Sequence, residues 1–213
     1  MTSPSPRLGR KTGPKPTFNS QDVINAAVSL GLDRFTMADV AGKIGVTQSA
    51  LYRLFDSREA LLQACLGQAA AAIMWPHEDW PWPDQLRSWA FTVWNVCEQY
   101  PGLDQTLLTT PGVHAHIQAG LSGLLEGLQR AGLPRERAKF AISLMGDVVL
   151  TAHVRVAATR GVTEAGESRV DAANRWLAEA SANLGVGVDF PLDGRWMGDL
   201  MDERIDFVIR GLE

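Results

Sequence analysis

The chain has 213 residues, of which 46% are hydrophobic and 21% charged, proportions that exclude wholesale disorder, collagen-like repetition and a bare disulfide scaffold. Its net charge of −4 is unevenly spread: residues 1–66 hold eight Lys and Arg against five Asp and Glu, and residues 67–213 hold twelve against nineteen. No apolar run reaches the ~18 residues of a membrane span and the first residues lack the apolar stretch of a secretory signal, so a cytoplasmic protein with no membrane partner is expected.

Residues 1–18 read as a basic, flexible arm, since no acid precedes Asp22 and Arg7, Arg10, Lys11 and Lys15 stand among Pro, Gly and Ser. The string Asn19–Ser20–Gln21–Asp22 then offers N-cap chemistry to a short helix with Val23, Ile24, Ala27 and Leu30 at helical spacing, stopped near Gly31. Thr36 and Asp39 resemble a capping box ahead of Val40, Ala41 and Ile44, and Gly45 ends that helix after about two turns. Thr47 caps a third helix carrying Leu51, Tyr52 and Phe55, and Ser57 a fourth that continues through Leu61, Leu62, Cys65 and Leu66 into Ala-rich 69–72. This places one unit at 19–66 and a second at 67–213.

Three prolines in 75–83 break the helix. Beyond them lie apolar stripes in 84–100 (Leu86, Trp89, Ala90, Val93, Val96, Cys97, Tyr100), from Ile117 to Leu128, and in a long helix over about 134–160 with Ile142, Met145, Val149, Ala152 and Val156. A weaker helix to about Leu184 and a last one with Met197, Met201, Ile205, Val208 and Leu212 complete the chain. No strand-like alternation competes, so the class is all-α: an N-terminal three-helix helix-turn-helix domain and a C-terminal helical bundle.

The informative stretch is Phe35 to Phe55. Small Ala41 lets two helices cross, Gly45 takes the left-handed turn and Leu51 plugs the crossing, the spacing of a helix-turn-helix. Gln48, Ser49, Tyr52 and Arg53 then project outward, where a recognition helix meets base edges. Gln suits adenine and Arg guanine, while Tyr52 offers its hydroxyl to phosphate. Thr36 and Thr47 stand at helix N-termini, as caps and as carriers of backbone N–H groups for phosphate; Lys43 is either a solvated lysine or a phosphate contact, and Arg10, Lys11 and Lys15 either solubilise the arm or enter a minor groove.

From Val23 to Leu62 the motifs Phe-Thr-Met-Ala-Asp-Val-Ala, Gly-Val-Thr, Leu-Tyr-Arg-Leu-Phe and Ser-Arg-Glu-Ala-Leu-Leu closely resemble the DNA-binding domain of the tetracycline-repressor (TetR) family of bacterial transcription factors. The C-terminal Ile-Asp-Phe-Val-Ile-Arg-Gly-Leu-Glu213 also looks like the last dimerisation helix of some members. The resemblance implies a three-helix reader, a linking fourth helix and a variable bundle that dimerises and holds an inducer. It implies that Thr47, Gln48, Ser49, Tyr52 and Arg53 face the major groove or its flanking phosphates, with Arg58 a cation on the backbone. Leu54 and Ala38 depart from it, standing where relatives place a phosphate-reaching His or Tyr and a base-reading Arg.

In the second unit the candidate ligand residues are Trp89, Phe91, Trp94, His114, Ile117, Asp147 and His153. Core packing also explains Trp89, ordinary packing is the simpler account of Phe91 and Trp94, and a satisfied core histidine that of His153. His114 and His116 are i,i+2 on a presumed helix, which argues against a metal pair; no metal or cofactor is expected. Asp147, Thr151 and Arg155 form a polar ridge that fits an intrahelical network, a dimer seam or an inducer site. The dimer seam is assigned to Met145, Val149, Ala152 and Val156 with Met201, Ile205, Val208 and Leu212. Cys65 and Cys97 read as buried thiols. There is no HExxH, P-loop or Rossmann fingerprint, so an enzyme is not expected. The reading is a homodimeric transcription factor, a repressor, that binds a pseudo-palindromic double-stranded DNA operator and is released by a small apolar or aromatic inducer. The alternative is a helical ligand-binding or scaffolding protein whose reader has lost DNA affinity.

Overall fold

The computed structural model describes residues 18–185, 187 and 200–212; Arg10, Lys11, Lys15 and Met197 lie outside them. The described chain is all-α, its only extended pairing an isolated bridge between Val162 and Ser168. Local chemistry starts the first helices. In α1 (Ser20–Leu30) the Asn19 side chain accepts the Gln21 and Asp22 N–H groups, and the Asp22 carboxylate accepts the Asn19 N–H at 2.9 Å. The same reciprocal box joins Thr36 and Asp39 ahead of α2 (Met37–Ile44), which ends at Gly45 with φ +73°. There the Val46 N–H closes the turn on the Ala41 carbonyl at 3.0 Å and leads into α3 (Gln48–Leu51). Leu51 is fully buried against Val40 and Ala41, as the helix-turn-helix spacing requires.

The linking helix α4 (Arg58–Ala71) starts at Ser57, whose hydroxyl accepts the Ala60 N–H at 3.0 Å. The described residues form two apolar cores. The first joins Val23, Phe35, Leu51 and Leu61 of the reader to Cys65, Leu66 and Ala69, then continues into Val96, Cys97, Leu103 and Leu150 of the bundle. The second lies among α5 (Trp82–Gln99), α7 (Gln118–Arg130), α8 (Arg135–Thr159) and α10 (Met201–Arg210). Between α5 and α7 come α6 (Leu103–Thr109) and a 3-10 turn, Val113–Ile117, neither of which the periodicity predicts; α9 (Arg169–Leu184) packs lightly on α8. By length and composition α8 could cross a membrane, but it packs against α5, α6, α7 and α10. Cys65 and Cys97 are buried free thiols, and burial pushes both up to about 12.

One expectation is overturned by this packing. Met145, Val149, Ala152, Met201, Ile205, Val208 and Leu212, assigned to a seam between subunits, are all buried within one chain, where the α8 and α10 stripes face each other and α5; Val156 is half-buried. Periodicity marks a face that needs covering without saying which neighbour covers it. Outside that core the two helices form an open groove with Val148, Thr151, Arg155, Glu203, Arg204 and Phe207 along it, and the Phe207 side chain is 75% exposed.

Candidate functional site

Two features compete for attention: the polar face of the reader and a cavity in the bundle. On the reader, Lys43 near the end of α2 and Thr47, Gln48, Ser49, Tyr52 and Arg53 around the short α3 are all exposed. The side chains of Gln48, Lys43 and Arg53 have no hydrogen-bond or ion-pair partner among the described residues, whereas the Thr47 and Ser49 hydroxyls lie 3.0 Å apart. The Tyr52 ring is 46% exposed, so it is not a core residue.

Two expected phosphate groups are placed otherwise. The Thr36 N–H donates to Asp39 Oδ2 at 3.2 Å and the Thr36 hydroxyl to the same oxygen at 2.6 Å, so its backbone donor is spent in the capping box. Arg58 turns inward: Nε donates to the Phe35 carbonyl at 2.9 Å, Nη2 to that of Leu32 at 3.2 Å, and the guanidinium lies 4.5 Å above the Phe35 ring. It fastens α4 to the loop between α1 and α2, a combination of cation–π contact and carbonyl bonding that a planar guanidinium suits. The family pattern implies a cation on the DNA backbone at this position; here the guanidinium points inward instead.

The bundle encloses a cavity of about 580 Å³, within the range of roughly 300–1,000 Å³ used by small-molecule sites. Its walls come from α4 (Leu66, Ala69, Ala70, with Ile73 just beyond), α5 (Trp89, Val93, Val96, Cys97), α6 (Leu103, Leu107), the 3-10 turn, α7 and α8. Of the expected ligand residues, Trp89, His114, Ile117 and Asp147 line it. Phe91, Trp94 and His153 do not. Phe91 faces a shallow groove with Met74 and Trp80 on the outside of α5. Trp94 packs its ring edge-on against His153, centroids 4.9 Å apart.

His153 is a core histidine with a charged partner. Its Nδ1 lies 2.7 Å from Asp104 Oδ2, both side chains only 6% exposed, and Nε2 stands 3.4 Å from Glu98, itself held by Arg160 at 2.6 and 2.8 Å. That 3.4 Å approach lacks hydrogen-bond geometry, and Nε2 has no bonded partner among the described residues. Burial pushes the Asp104 carboxyl up, but the His153 bond, the Gln105 N–H and the imidazole's positive field together hold it below the usual carboxylate range. The hydrogen bond from Arg160 lowers Glu98 in the same direction.

Bundle and reader are tied at three points. His116, on the cavity wall, has Nε2 2.7 Å from Gln63 Oε1 of α4. The Tyr100 hydroxyl donates to the Gln68 carbonyl at 3.3 Å. The corner between α5 and α6 docks on the reader itself: the Leu32 N–H donates to the Pro101 carbonyl at 2.8 Å. Gly102, at φ +78°, lies so close to Asp33 that a Cβ would fall 2.9 Å from its backbone nitrogen. Sequence reasoning missed the α4 wall, because Leu66, Ala69 and Ala70 read as ordinary core. It also missed Arg135, Lys139 and Ser143, although their i,i+4 spacing with Asp147 was visible.

Residues 26–65 match the sequence profile described as bacterial regulatory proteins, tetR family. Those forty residues, the helix-turn-helix and its flanking helices, thus carry the sequence pattern of that family's DNA-binding domain. The whole fold of the chain also matches solved structures. Apo ActR from Streptomyces coelicolor aligns with a TM-score of 0.66 at 17% identity, covering 92% of this chain and 94% of that one. TetR from Acinetobacter baumannii AYE aligns at 0.61 and 20% identity, covering 92% and 96%. At such identities the likeness is one of fold. ActR has also been solved in complex with actinorhodin, with a TM-score of 0.66 to this chain at 17% identity over 92% of this chain and 96% of that one. No curated protein matches the chain in sequence.

Proposed function

We propose that the chain is a ligand-responsive repressor that binds a pseudo-palindromic DNA operator as a homodimer and lets go when a small organic molecule fills the bundle cavity. One observation carries this reading: α4 supplies a wall of the cavity through Leu66, Ala69 and Ala70, while Leu61, Leu62 and Cys65 of the same helix belong to the reader's core. A molecule that fits the cavity in only one setting of α4 shifts the population of reader orientations by its difference in affinity. ActR, solved with actinorhodin, and an Acinetobacter baumannii TetR variant, solved with minocycline, lend support by analogy of fold.

On the reader, Gln48 and Arg53 take base edges, Tyr52, Thr47, Ser49 and Lys43 the backbone, and Arg10, Lys11 and Lys15 of the arm the adjacent minor groove. Arg58 acts behind this face by holding α4 to the loop. Two subunits meet through the outward faces of α8 and α10, where Phe207 and the neighbouring groove await a partner and where Asp147, Thr151 and Arg155 add polar specificity. The test is selection of binding sites from randomised duplexes, followed by titration of the selected site. Gln48→Ala and Arg53→Ala should each weaken specific binding by about 1–3 kcal/mol per lost bidentate contact and leave binding to random DNA unchanged. No enrichment of any sequence would leave the rival reading, a helical ligand-binding protein with a silent reader.

A further inference from the structure

The cavity's polar groups are not spread evenly. Every lining residue from α4, α5 and α6 is apolar, whereas the charged ones all come from α8: Arg135, Lys139 and Asp147, at positions that with Ser143 repeat every four residues and so run along one edge of the opening. Two cations stand together at one end of that edge and the lone carboxylate two turns further on. Arg135 and Lys139 are both exposed at the rim. Arg135 Nη1 reaches only the Gln129 side-chain oxygen, at 3.2 Å, and Lys139 Nζ is held 2.8 Å from Glu136, a neighbour on its own helix. Among the described residues Arg135 thus makes no ion pair, although its charge reaches Glu136, and the Lys139 ammonium has donors left over after its one short-range pair.

Resting on the reading of this cavity as the effector site, we infer that its ligand is an amphipathic organic anion, with a flat apolar body against α4, α5 and α6 and a carboxylate or comparable anionic group at Arg135 and Lys139. An uncharged molecule of the same shape would gain the apolar contacts and leave both rim cations to water. A cation would have to lie near Asp147 alone and would meet repulsion from two positive groups on the same edge. The guanidinium and ammonium offer an anion charge-assisted hydrogen bonds, the stronger kind, at the boundary of an apolar space where water screens them less.

A matched pair of fluorescent probes tests this: anilinonaphthalene sulfonate and the uncharged phenylnaphthylamine share one aromatic body and differ in the anion. The full-length protein should bind the sulfonate more tightly by about tenfold. A double variant, Arg135→Gln with Lys139→Gln, should lose that preference while binding phenylnaphthylamine as before, which also reports that the cavity is intact. Gly146 lies in the middle of the α8 face toward the cavity, and a Cβ there would meet nothing within 4 Å, so Gly146→Phe should fill the space and abolish binding of both probes. Equal affinity for the two probes in the unmodified protein, or a preference that survives the double variant, overturns the anion assignment alone. Both probes still binding to Gly146→Phe, or neither binding to the unmodified protein, overturns the effector-site reading beneath it.

Discussion

The reader and the bundle specify their helices by different means. In α1, α2 and α4 a side chain immediately before the helix accepts a backbone N–H of the first turn, from Asn19, Thr36 and Ser57. None of α5 to α10 has such a bond; α5 and α8 begin behind Pro81 and Pro134, and the others at residues whose side chains do no capping. The expected cap of α3 is the exception, since the Thr47 side chain makes no cap bond; elsewhere the first unit writes its helix starts into a few neighbouring residues, while the second relies on which faces bury one another. Local rules work in the reader for this reason and leave the faces of the bundle open.

The largest effect that would break the comparison concerns α10. Val208 is 8% exposed and faces α8, while its neighbour Phe207 is turned outward. Val208→Glu would put a carboxylate with no partner into the core, at a cost of several kcal/mol; it should unfold the bundle, read as lost helicity and a lower urea midpoint. Phe207→Glu should leave the subunit folded and, by removing an apolar contact of the proposed seam, give monomers in analytical ultracentrifugation. A folded, monomeric Val208→Glu would mean that the stripe faces a partner after all.

A second contrast lies in charge. Lys43 and Arg53 on the reader's polar face are exposed to solvent, whereas the bundle buries His153 against Asp104 with Glu98 and Arg160 behind them. Removing one partner of a buried pair costs about 3–5 kcal/mol, so Asp104→Asn should strongly lower the urea midpoint at neutral pH. Because the folded protein holds Asp104 and Glu98 below the usual carboxylate range, their stabilisation is fully present above the unfolded-state pKa of about 4 and fades as pH falls through the lower folded values. The unmodified protein should thus lose stability in that acid window, and Asp104→Asn should lose less of it. Parallel pH profiles for the two proteins would show that the pair contributes no proton linkage.

These differences also explain what the sequence made legible. Gly45, Ala41 and Leu51 define the helix-turn-helix because each has a single steric duty at a fixed spacing, and Thr36 with Asp39 announces its own box. For α8 the residues Met145, Val149 and Ala152 mark the buried face correctly. Yet the same pattern would serve a seam between subunits, and only the position of α10 decides. Asp104 was invisible for a related reason: α6 is a short helix after Pro101 and Gly102, and its partner His153 lies forty-nine residues away in the chain. The cavity could be approached from Trp89, His114, Ile117 and Asp147, but its α4 wall is indistinguishable in sequence from core.

The smallest expected effect sharpens the comparison at the level of single caps. Thr36 Oγ1 accepts the Asp39 N–H at 3.1 Å at the start of α2, whereas Ser168 stands in the corresponding place before α9 with no side-chain cap bond. Both are hydroxyl residues that sequence rules alone would score as caps. Thr36→Ala removes the acceptor of an otherwise unpaired helix N–H and should cost about 1 kcal/mol, seen as faster amide hydrogen exchange through α2. Ser168→Ala removes no such bond and should stay within about 0.5 kcal/mol of the unmodified protein, with exchange in α9 unchanged. Since α9 packs lightly on α8, it has little tertiary support to hide a lost cap. Comparable acceleration in both helices would therefore mean that Ser168 caps α9 in solution, and that the bundle also draws on local chemistry to set its helix ends.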